Sequence, residues 1–438
     1  MSLKQAVEKA VHENPRVKAA QASRRATDHV LKQAKRRYFP EISLSAEVGK
    51  EIIDRPTSFG PNENRIWYTR RKATASIKQI LFDGFDRANE IYRSRSRISA
   101  ASEKILARSD AVALDAIEAY IDFVRHSRLI ALGNRNVDRH RKLLELVEAR
   151  VAGGRNSAGD LDQTRERLQA ALALVSQIRI ARDIAAAKFR AEVGVAPGRL
   201  HRVRLPRIPF ASVEDALVAA VDNNPRLAAL RHEIDAAGYQ TDQSKSSLYP
   251  TVTLEGSATR GEDLDGTRGR SNDLRGVVMF RWKVFDGGVR RSRVNELSER
   301  KFVKVAEYDS STREVRRAIE IAWSRLREGR RQEQAKREQL QQTVNVVRSY
   351  RREYEADKRS LLDVLDSENT RFAIEFDLSN ITSIRQFAAY QLLGQTGSLL
   401  SSLGVRKPEG SDVEPNFATK TRSVNSFGSF VIPSLKQE

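Results

Sequence analysis

The sequence predicts a mainly α-helical chain with membrane β-structure, built from two tandem repeats that each join long coiled-coil helices to a two-strand hairpin. Three observations carry this prediction. Short motifs occur twice in the same order, apolar and polar residues alternate at two places in each copy, and one helical stretch without proline is far longer than a globular-domain helix. The 438 residues are enough for two or three average domains or one elongated domain.

The repeated motifs define the domain organisation. An Asn-Pro motif at Asn14 recurs 210 positions later at Asn224, and a Phe-Asp-Gly motif at Phe82 recurs 203 positions later at Phe285. The difference of seven residues equals two helical turns, so a helix can absorb it without rotating its apolar face. We therefore predict a first repeat at 1–195, a linker at 196–211, a second repeat at 212–405 and a polar, disordered tail at 406–438.

Each repeat begins with a helix that is interrupted at the Asn-Pro motif and ends at a later proline, which is Pro40 in the first repeat. Apolar Ile42, Leu44 and Val48 then alternate with polar neighbours, which is the period of a strand with one apolar face. Such patterns predict four strands, at 41–50, 73–82, 251–259 and 276–285. The polar stretches between paired strands, at 50–71 and 260–275, are predicted to be surface loops.

The strand lengths and faces suit a membrane β-barrel. Strands of about ten residues are long enough to cross a membrane at a tilt, and a second face of small polar and charged residues suits a watery lumen. Aromatic residues cluster at the strand ends, as in an interfacial belt: Tyr38, Phe39, Phe82, Phe85, Tyr249, Phe280, Trp282 and Phe285. The alternative is a soluble hairpin that packs on a helix, which the strands alone would favour without the repeat.

A long helix follows each hairpin. No proline occurs at 84–152 or 288–356, and about 69 residues make a helix roughly 100 Å long. Apolar residues lie seven apart, the spacing of a coiled coil: Ile91, Ile98, Ile105, Val112 and Ala119. A turn at 153–159 or 357–360 then leads into a returning helix, predicted at 160–193 and 361–403. Helices of this length need parallel neighbours.

Composition narrows the function classes. Lys and Arg number 77 against 57 Asp and Glu, a net charge of +20 that could suit nucleic acid, anionic lipid or an acidic partner. Because these charges are spread along the chain, a solvated helical surface is the simpler interpretation. The chain has no Cys, and its six His form no ligand pair at helical spacing. The sequence therefore predicts no catalytic residue, no cofactor and no metal site.

The N-terminus shows no export signal. Met1 leads directly into a polar amphipathic helix, and no apolar run approaches the ~18–20 residues of a membrane-spanning helix. Taken alone, these two observations would indicate a soluble cytoplasmic protein.

The stretch from Tyr354 to Asp366 resembles the periplasmic-tip motif of the TolC-like outer-membrane efflux and secretion family. The run 390–393 followed by Gly397 and Leu399, together with 359–363, looks most like the type I secretion branch of that family. The duplicated Asn-Pro and Phe-Asp-Gly motifs are also similar to those of the family. The resemblance covers about residues 2–404. It implies a homotrimer in which each chain gives four strands to one 12-strand β-barrel and its long helices to a periplasmic α-barrel.

The resemblance also implies a function and partners. The expected function is a passive outer-membrane exit duct for type I protein secretion, multidrug efflux or both, with no enzymatic activity. An inner-membrane ABC or RND transporter and a periplasmic adaptor (membrane-fusion) protein are expected to open its periplasmic end. The other partners are two further copies of the chain and outer-membrane lipid, and no nucleic acid. The implied location is the Gram-negative outer membrane, with the helices spanning the periplasm. Because members of the family are exported, we expect the native start of the chain to lie upstream of Met1.

Five residues match the family's gate. Asp363 and Asp366 match its constricting aspartates, and Tyr354, Arg359 and Asp160 match its latch. Asp363 and Asp366 are three apart and share a helix face, so threefold symmetry would gather them into acidic rings. Arg359 could pair with Asp160 or with a carboxylate of a neighbouring chain. The alternative is that Asp160 and Asp363 are helix N-caps and that Arg359 is solvated.

Two other functions remain open at this point. A basic coiled-coil scaffold or nucleic-acid-binding protein in the cytoplasm would explain the charge and the missing signal, but not the four amphipathic strands. An enzyme with Asp363 and Asp366 as paired carboxylates would need accompanying catalytic groups, and the sequence offers none.

Overall fold

The computed structural model describes residues 1–53 and 67–412, and its first six elements recur in the same order as the next six. The elements are α1 (Leu3–Glu13), α2 (Pro15–Arg36), β1 (Glu41–Ile52), β2 (Trp67–Phe82), α3 (Asp86–Ala152), α4 (Ala158–Val193), α5 (Val213–Asn223), α6 (Pro225–Lys245), β3 (Thr251–Leu264), β4 (Thr267–Arg281), α7 (Val289–Glu355), α8 (Leu361–Gln395) and α9 (Leu399–Leu403). The predicted pair of repeats, each with long helices and one hairpin, is confirmed.

The Asn-Pro motif performs the same task in both repeats. The Asn14 side chain accepts the main-chain N–H of Arg16 at 2.9 Å and donates to the carbonyl of Glu192 at 3.3 Å. Asn224 likewise accepts from Arg226 and donates to the carbonyl of Gln395, at 2.8 Å. Each asparagine thus caps the helix that the proline starts and ties it to the end of the returning helix.

The described residues form two compact units, each with its own packing. The first consists of residues 1–23, 101–229 and 308–412. Its largest core includes Ile105, Val112 and Ala119, all fully buried as their sevenfold spacing predicts. The hydroxyl of Tyr120 lies 2.9 Å from the carbonyl oxygen of Met1 and 2.8 Å from that of His201, and so holds the segment between the repeats against α3.

The second unit includes residues 24–53, 67–100 and 230–307 and contains a four-stranded antiparallel sheet in the order β1-β2-β3-β4. In register, Ile42 pairs with Ile77 and Leu44 with Ala75, so apolar residues share one face. On the other face, Ser43 and Ser76 hydrogen-bond at 2.7 Å. Among the described residues, β1 and β4 pair on one side only.

The strands are longer than predicted at the hairpin end. The predicted loop at 260–275 is wrong, because β3 continues to Leu264 and β4 starts at Thr267. The predicted loop at 50–71 is also too long, since β2 begins at Trp67; its residues 54–66 lie outside the described part. Loss of apolar alternation does not end a strand whose polar side chains can face water on both sides while the backbone pairing continues.

At the other end, β4 stops at Arg281, four residues before the predicted 285. The carbonyl of Lys283 accepts from the Arg290 guanidinium instead of from a neighbouring strand. Arg290 also pairs with Asp286 at 2.7 Å. The first repeat has the same arrangement: Arg87 donates to Asp83 at 2.6 Å and to the carbonyl of Ile80 at 3.1 Å. The aspartate of each Phe-Asp-Gly motif therefore positions an arginine that binds a main-chain carbonyl near the end of the preceding strand.

The last predicted helix, at 361–403, is two helices in the structure. Gly397 interrupts it with a φ of +68° and lies so close to the main-chain carbonyl of Asn223 that a side chain has no space. α8 therefore ends at Gln395, and α9 begins at Leu399.

Among the helices in the described ranges, none combines the length and the apolar character needed to cross a membrane.

Candidate functional site

The predicted gate residues lie in and beside two turns, one between α3 and α4 and one between α7 and α8. The two turns have the same backbone conformation. The turn between α3 and α4 contains Gly154 with φ +71°, and that between α7 and α8 contains Asp357 with φ +59°. In each, an N–H bonds the carbonyl five residues back at 2.8 Å: Arg155 to Arg150, and Lys358 to Glu353. These are the left-handed turns that commonly close helices. Asp357 stands where the first repeat has glycine.

A serine caps each returning helix. The Ser157 hydroxyl accepts the N–H of Asp160 at 3.1 Å, and the Ser360 hydroxyl accepts that of Asp363 at 3.2 Å. Asp160 returns a bond by accepting the N–H of Ser157 at 3.0 Å. The alternative N-cap role of Asp160 and Asp363 is therefore wrong: both are the third residue of their helix, and Asp160 completes a capping box with Ser157. α4 accordingly starts at Ala158, two residues before the prediction.

Asp160 is held as a carboxylate. Partial burial raises its pKa, but the N–H of Ser157, the amide of Asn156 and the Ser157 hydroxyl outweigh that effect and lower the pKa below its ordinary value. The Asn156 amide donates to Asp160 at 3.0 Å.

Arg150, which the sequence analysis missed, joins the two turns. Its Nε donates to the Asn156 side chain at 2.8 Å, and a terminal nitrogen bonds the Asp357 carboxylate. Its guanidinium carbon lies 4.7 Å from the centre of the Tyr354 ring, within the range of a cation–π contact. Comparing the repeats at an offset of 203 would have exposed it, because the equivalent position is the oppositely charged Glu353.

Arg359 lies on the second turn and contacts different groups. Its Nε donates to Glu353 at 3.0 Å, its guanidinium carbon lies 4.1 Å from the centre of the Tyr350 ring, and it approaches Asp363 at 3.7 Å. Within the chain it therefore pairs with Glu353 and Asp363, not with the predicted Asp160. Arg359 is the repeat equivalent of Asn156, so both turns form the same contact with donor and acceptor exchanged.

Tyr354 is buried, whereas the two predicted gate aspartates are not. Only 3% of Tyr354 is exposed, and burial raises the pKa of its hydroxyl, an effect that Arg150 opposes. It belongs to an apolar cluster with Leu143, Val147, Leu361, Val364 and Leu365. Asp363 is half-buried and Asp366 is exposed, so both turn away from that cluster. The structure thus places Tyr354 against Arg150, links Asp160 to Arg150 through the Asn156 side chain, and puts Arg359 beside Asp363. Their roles as gate and latch stay predictions.

A buried group of charges lies further along the same helices. Glu368, 2% exposed, forms ion pairs with Arg139 of α3 at 3.1 Å and with Arg351 of α7 at 3.0 Å. Glu375 joins Arg139 at 3.5 Å and Arg371 at 3.3 Å. Burial lowers the pKa of Arg139. The group ties α8 to both long helices. Periodicity alone could not reveal it, because all five residues are charged and a charged residue in a helical pattern is normally assigned to the solvated face.

Comparison with known proteins matches this fold and sequence to one family. Its pattern, described as outer membrane efflux protein, matches residues 6–195 and 216–398. The chain is 25% identical over 410 residues to the outer membrane efflux protein BepC of Brucella suis, covering 92% of this chain and 88% of BepC. It is 22% identical over 356 residues to the alkaline protease secretion protein AprF of Pseudomonas aeruginosa, covering 78% and 73% of the two chains.

Solved structures agree on the fold. The outer membrane protein VceC of Vibrio cholerae superposes with a TM-score of 0.75 at 18% identity, over 93% of this chain and 97% of VceC. The TolC-like arrangement of helices and hairpins is therefore confirmed. Because the matched family covers both repeats, the sequence and the fold lead to the same conclusion: the chain belongs to the outer membrane efflux protein family.

Proposed function

We propose that three copies of this chain form one closed channel, with twelve strands in the outer membrane of a Gram-negative cell and the long helices around a periplasmic duct. The four-stranded sheet carries the proposal. Its apolar face leaves Leu44 81% and Leu274 86% exposed, while its other face is polar. The outer edges of β1 and β4 have no partner among the described residues. Open edges are not tolerated in lipid, and three such sheets can close one barrel.

The family assignment favours a channel over the basic scaffold or nucleic-acid-binding alternative, and the family is one of transport channels rather than enzymes. We propose that this channel is a passive exit duct for type I secretion or multidrug efflux. The names of BepC and AprF support both uses, one as an efflux protein and the other as a secretion protein. A periplasmic adaptor and an inner-membrane ABC or RND transporter would then supply the driving force.

We further propose that the two helical turns form the gate at the periplasmic end. Three copies of Asp363 and Asp366 would line it as acidic rings, which bind cations and repel anions. In each chain, the Arg150–Asp357 pair joins the two turns and Tyr354 packs beneath them. Opening would separate the turns and break these contacts, with Arg359 and Asp160 holding the closed form of their own turns.

Reconstitution in planar bilayers tests the channel. The chain is exported with a bacterial signal, purified from outer membranes in mild detergent, cross-linked and added to a neutral phosphatidylcholine bilayer. We expect a three-subunit species and stepwise ion conductance. A monomer that leaves the bilayer sealed would contradict the proposal.

A further inference from the structure

Three arginines project from the apolar face of the sheet at its hairpin end. Across the strands, Arg71 pairs in register with Glu262 and Glu262 with Arg270, while Arg260 lies one level below, between Ala73 and Asn272. Side chains directly opposite in register share a face, so these residues lie on the face that carries Ile42 and Leu44. All three arginines are exposed, and together we name them the arginine rim.

The rim lies where a membrane would meet water. Along β3 the face reads Val252, Leu254, Gly256 and Ala258 before it reaches Arg260. At ~3.3 Å per residue, Arg260 is roughly 26 Å from Val252, close to the ~25 Å height of the apolar band of membrane barrels. Aromatic side chains, including exposed Trp282, stand at the opposite end of the strands. The guanidinium groups therefore fall at the level of lipid headgroups, which long basic side chains can reach.

The charges of the rim are not neutralised within the sheet. Arg71 pairs with Glu262 at 3.2 Å, but neither Arg260 nor Arg270 forms an ion pair with another residue of the described ranges. On the polar face, by contrast, Arg70 reaches Glu47 at 2.9 Å, Asp265 at 3.3 Å and Glu51 at 3.4 Å. The rim therefore has three arginines against one carboxylate, which leaves Arg260 and Arg270 without an ion pair among the described residues.

We infer that the arginine rim binds the phosphate group of an anionic lipid headgroup, an inference that rests on the proposed placement of the sheet in a membrane. Guanidinium groups bind phosphate through paired hydrogen bonds, which suits Arg260 and Arg270 on neighbouring strands. Apolar side chains adjoin the charges: Val48 is opposite Arg71 in register, and Leu274, 86% exposed, is one level below Arg260. An anion with acyl chains uses both surfaces, whereas free phosphate uses only the charges.

Lipid titration tests the inference. Full-length trimer in neutral detergent is titrated with fluorescent phosphatidylglycerol, with phosphatidylcholine as the uncharged-headgroup comparison. Each basic residue at an anionic surface contributes roughly fivefold in affinity, so we expect R260Q/R270Q to weaken phosphatidylglycerol binding about 30-fold. The control R275Q/R281Q removes the same charge from the polar face of β4, and we expect it to bind within about twofold of the parent.

Equal weakening in the two double variants would reduce the effect to general charge attraction and overturn the site. Displacement of the lipid by inorganic phosphate at equal concentration would overturn the lipid assignment in favour of a free anion. R260K/R270K keeps the charge but loses the paired geometry, and we expect an intermediate affinity. It also provides the measurement if the glutamine variant does not assemble.

Conductance separates this inference from the proposed function. In neutral phosphatidylcholine bilayers, R260Q/R270Q should conduct like the parent, because no anionic lipid is present. Normal conductance with unchanged phosphatidylglycerol binding in the variant would end the lipid site and leave the channel intact. Failure of the parent to form trimers or to conduct would instead remove the proposed function, and the inference with it.

Discussion

Arg150, at the end of α3, contacts both turns: it donates to the Asn156 side chain of its own turn and to Asp357 of the other turn. Because 8% of Arg150 is exposed but more than half of the Asp357 side chain is, its bonds to charged and polar groups are partly screened. We expect Arg150→Ala to lower the free energy of unfolding by about 1 to 2 kcal/mol, measured by thermal unfolding. The same variant should raise conductance if the turns form the gate.

Arg155→Ala is the matched control, because Arg155 lies on the same turn with its side chain exposed. We expect a change within about 0.5 kcal/mol. A loss as large as that of the Arg150 variant would mean that any charge on this turn matters equally, and the specific role of Arg150 would be rejected.

The predicted site residues show what a sequence can and cannot supply. The register correctly placed Asp160 and Tyr354 beside the two turns, because duplicated landmarks fix position along each helix. The side-chain partners of these residues could not be predicted in the same way. Arg359 pairs with Glu353 rather than Asp160, since side-chain partners depend on rotamers and on which turn lies alongside. Arg150 was missed because a lone arginine near a helix end looks like any solvated charge.

Asp110 should make stability depend on pH. Burial raises its pKa from 3.8 to about 7, with Lys407 opposing the shift. Between those values the folded chain binds a proton that the unfolded chain has lost, so stability falls as pH rises through this window. We expect Asp110→Asn to flatten the dependence of the free energy of unfolding on pH between pH 4 and 7. At pH 8 its free energy of unfolding, measured by denaturant unfolding, should exceed that of the parent by roughly 2 to 4 kcal/mol.

Asp138→Asn is the comparison for Asp110, because Asp138 is on the same helix with its side chain 62% exposed. The free energy of unfolding of this variant should depend on pH as that of the parent does. If Asp110→Asn gave the parent's slope through the same window, the carboxyl would be ionised in the folded protein and its burial would have no linkage effect.

At the scale of elements, the sequence was most informative where one periodicity ran for many turns. The proline-free stretch after the Phe-Asp-Gly motif predicted the start of α3 within two residues. The seven-residue spacing predicted the buried face of the helix, because a coiled-coil face must be apolar throughout. Strand ends were less predictable. β3 and β4 continue past the apolar band to the turn at Asp265, since backbone pairing does not require an apolar face. The break at Gly397 depends on a close approach to α5, which no local pattern records.

The ion pairs of Glu368 make α8 dependent on α3 and α7. Replacing Glu368 by Gln removes the carboxylate that two partly buried arginines share: Arg351 loses its ion pair, and Arg139 keeps the one with Glu375 at 3.5 Å. Breaking a buried pair from one side costs about 3 to 5 kcal/mol, so we expect a loss in that range in the free energy of unfolding.

Asp377→Asn tests whether burial is the cause. Asp377 is also on α8 and pairs with Lys336 of α7 at 3.1 Å, but its side chain is 51% exposed. An exposed pair contributes at most about 1 kcal/mol. A similar loss in both variants would show that the buried position of Glu368 gives it no special weight.

At the scale of the whole molecule, the net charge of the protein and the charge of the proposed gate have opposite signs. The net charge of +20 would by itself favour anions, whereas the proposed gate collects Asp363 and Asp366 from three chains. Two unit charges about 4 Å apart interact by about 1 kcal/mol in water and by more in a narrow, low-dielectric passage. A local acidic ring can therefore select cations even though the rest of the protein is basic.

Removing the ring should remove the preference. We expect Asp363→Asn with Asp366→Asn to lower the ratio of cation to anion permeability at least about fivefold, measured as the reversal potential across a salt gradient in a planar bilayer. The control Asp138→Asn with Asp183→Asn removes two exposed carboxylates from the first repeat, both away from the turns, and should keep the parent's ratio. If the control changed the ratio as much, selectivity would follow net charge. If neither pair changed it, the constriction would lie elsewhere, and Asp363 with its capping serine would serve only to start α8.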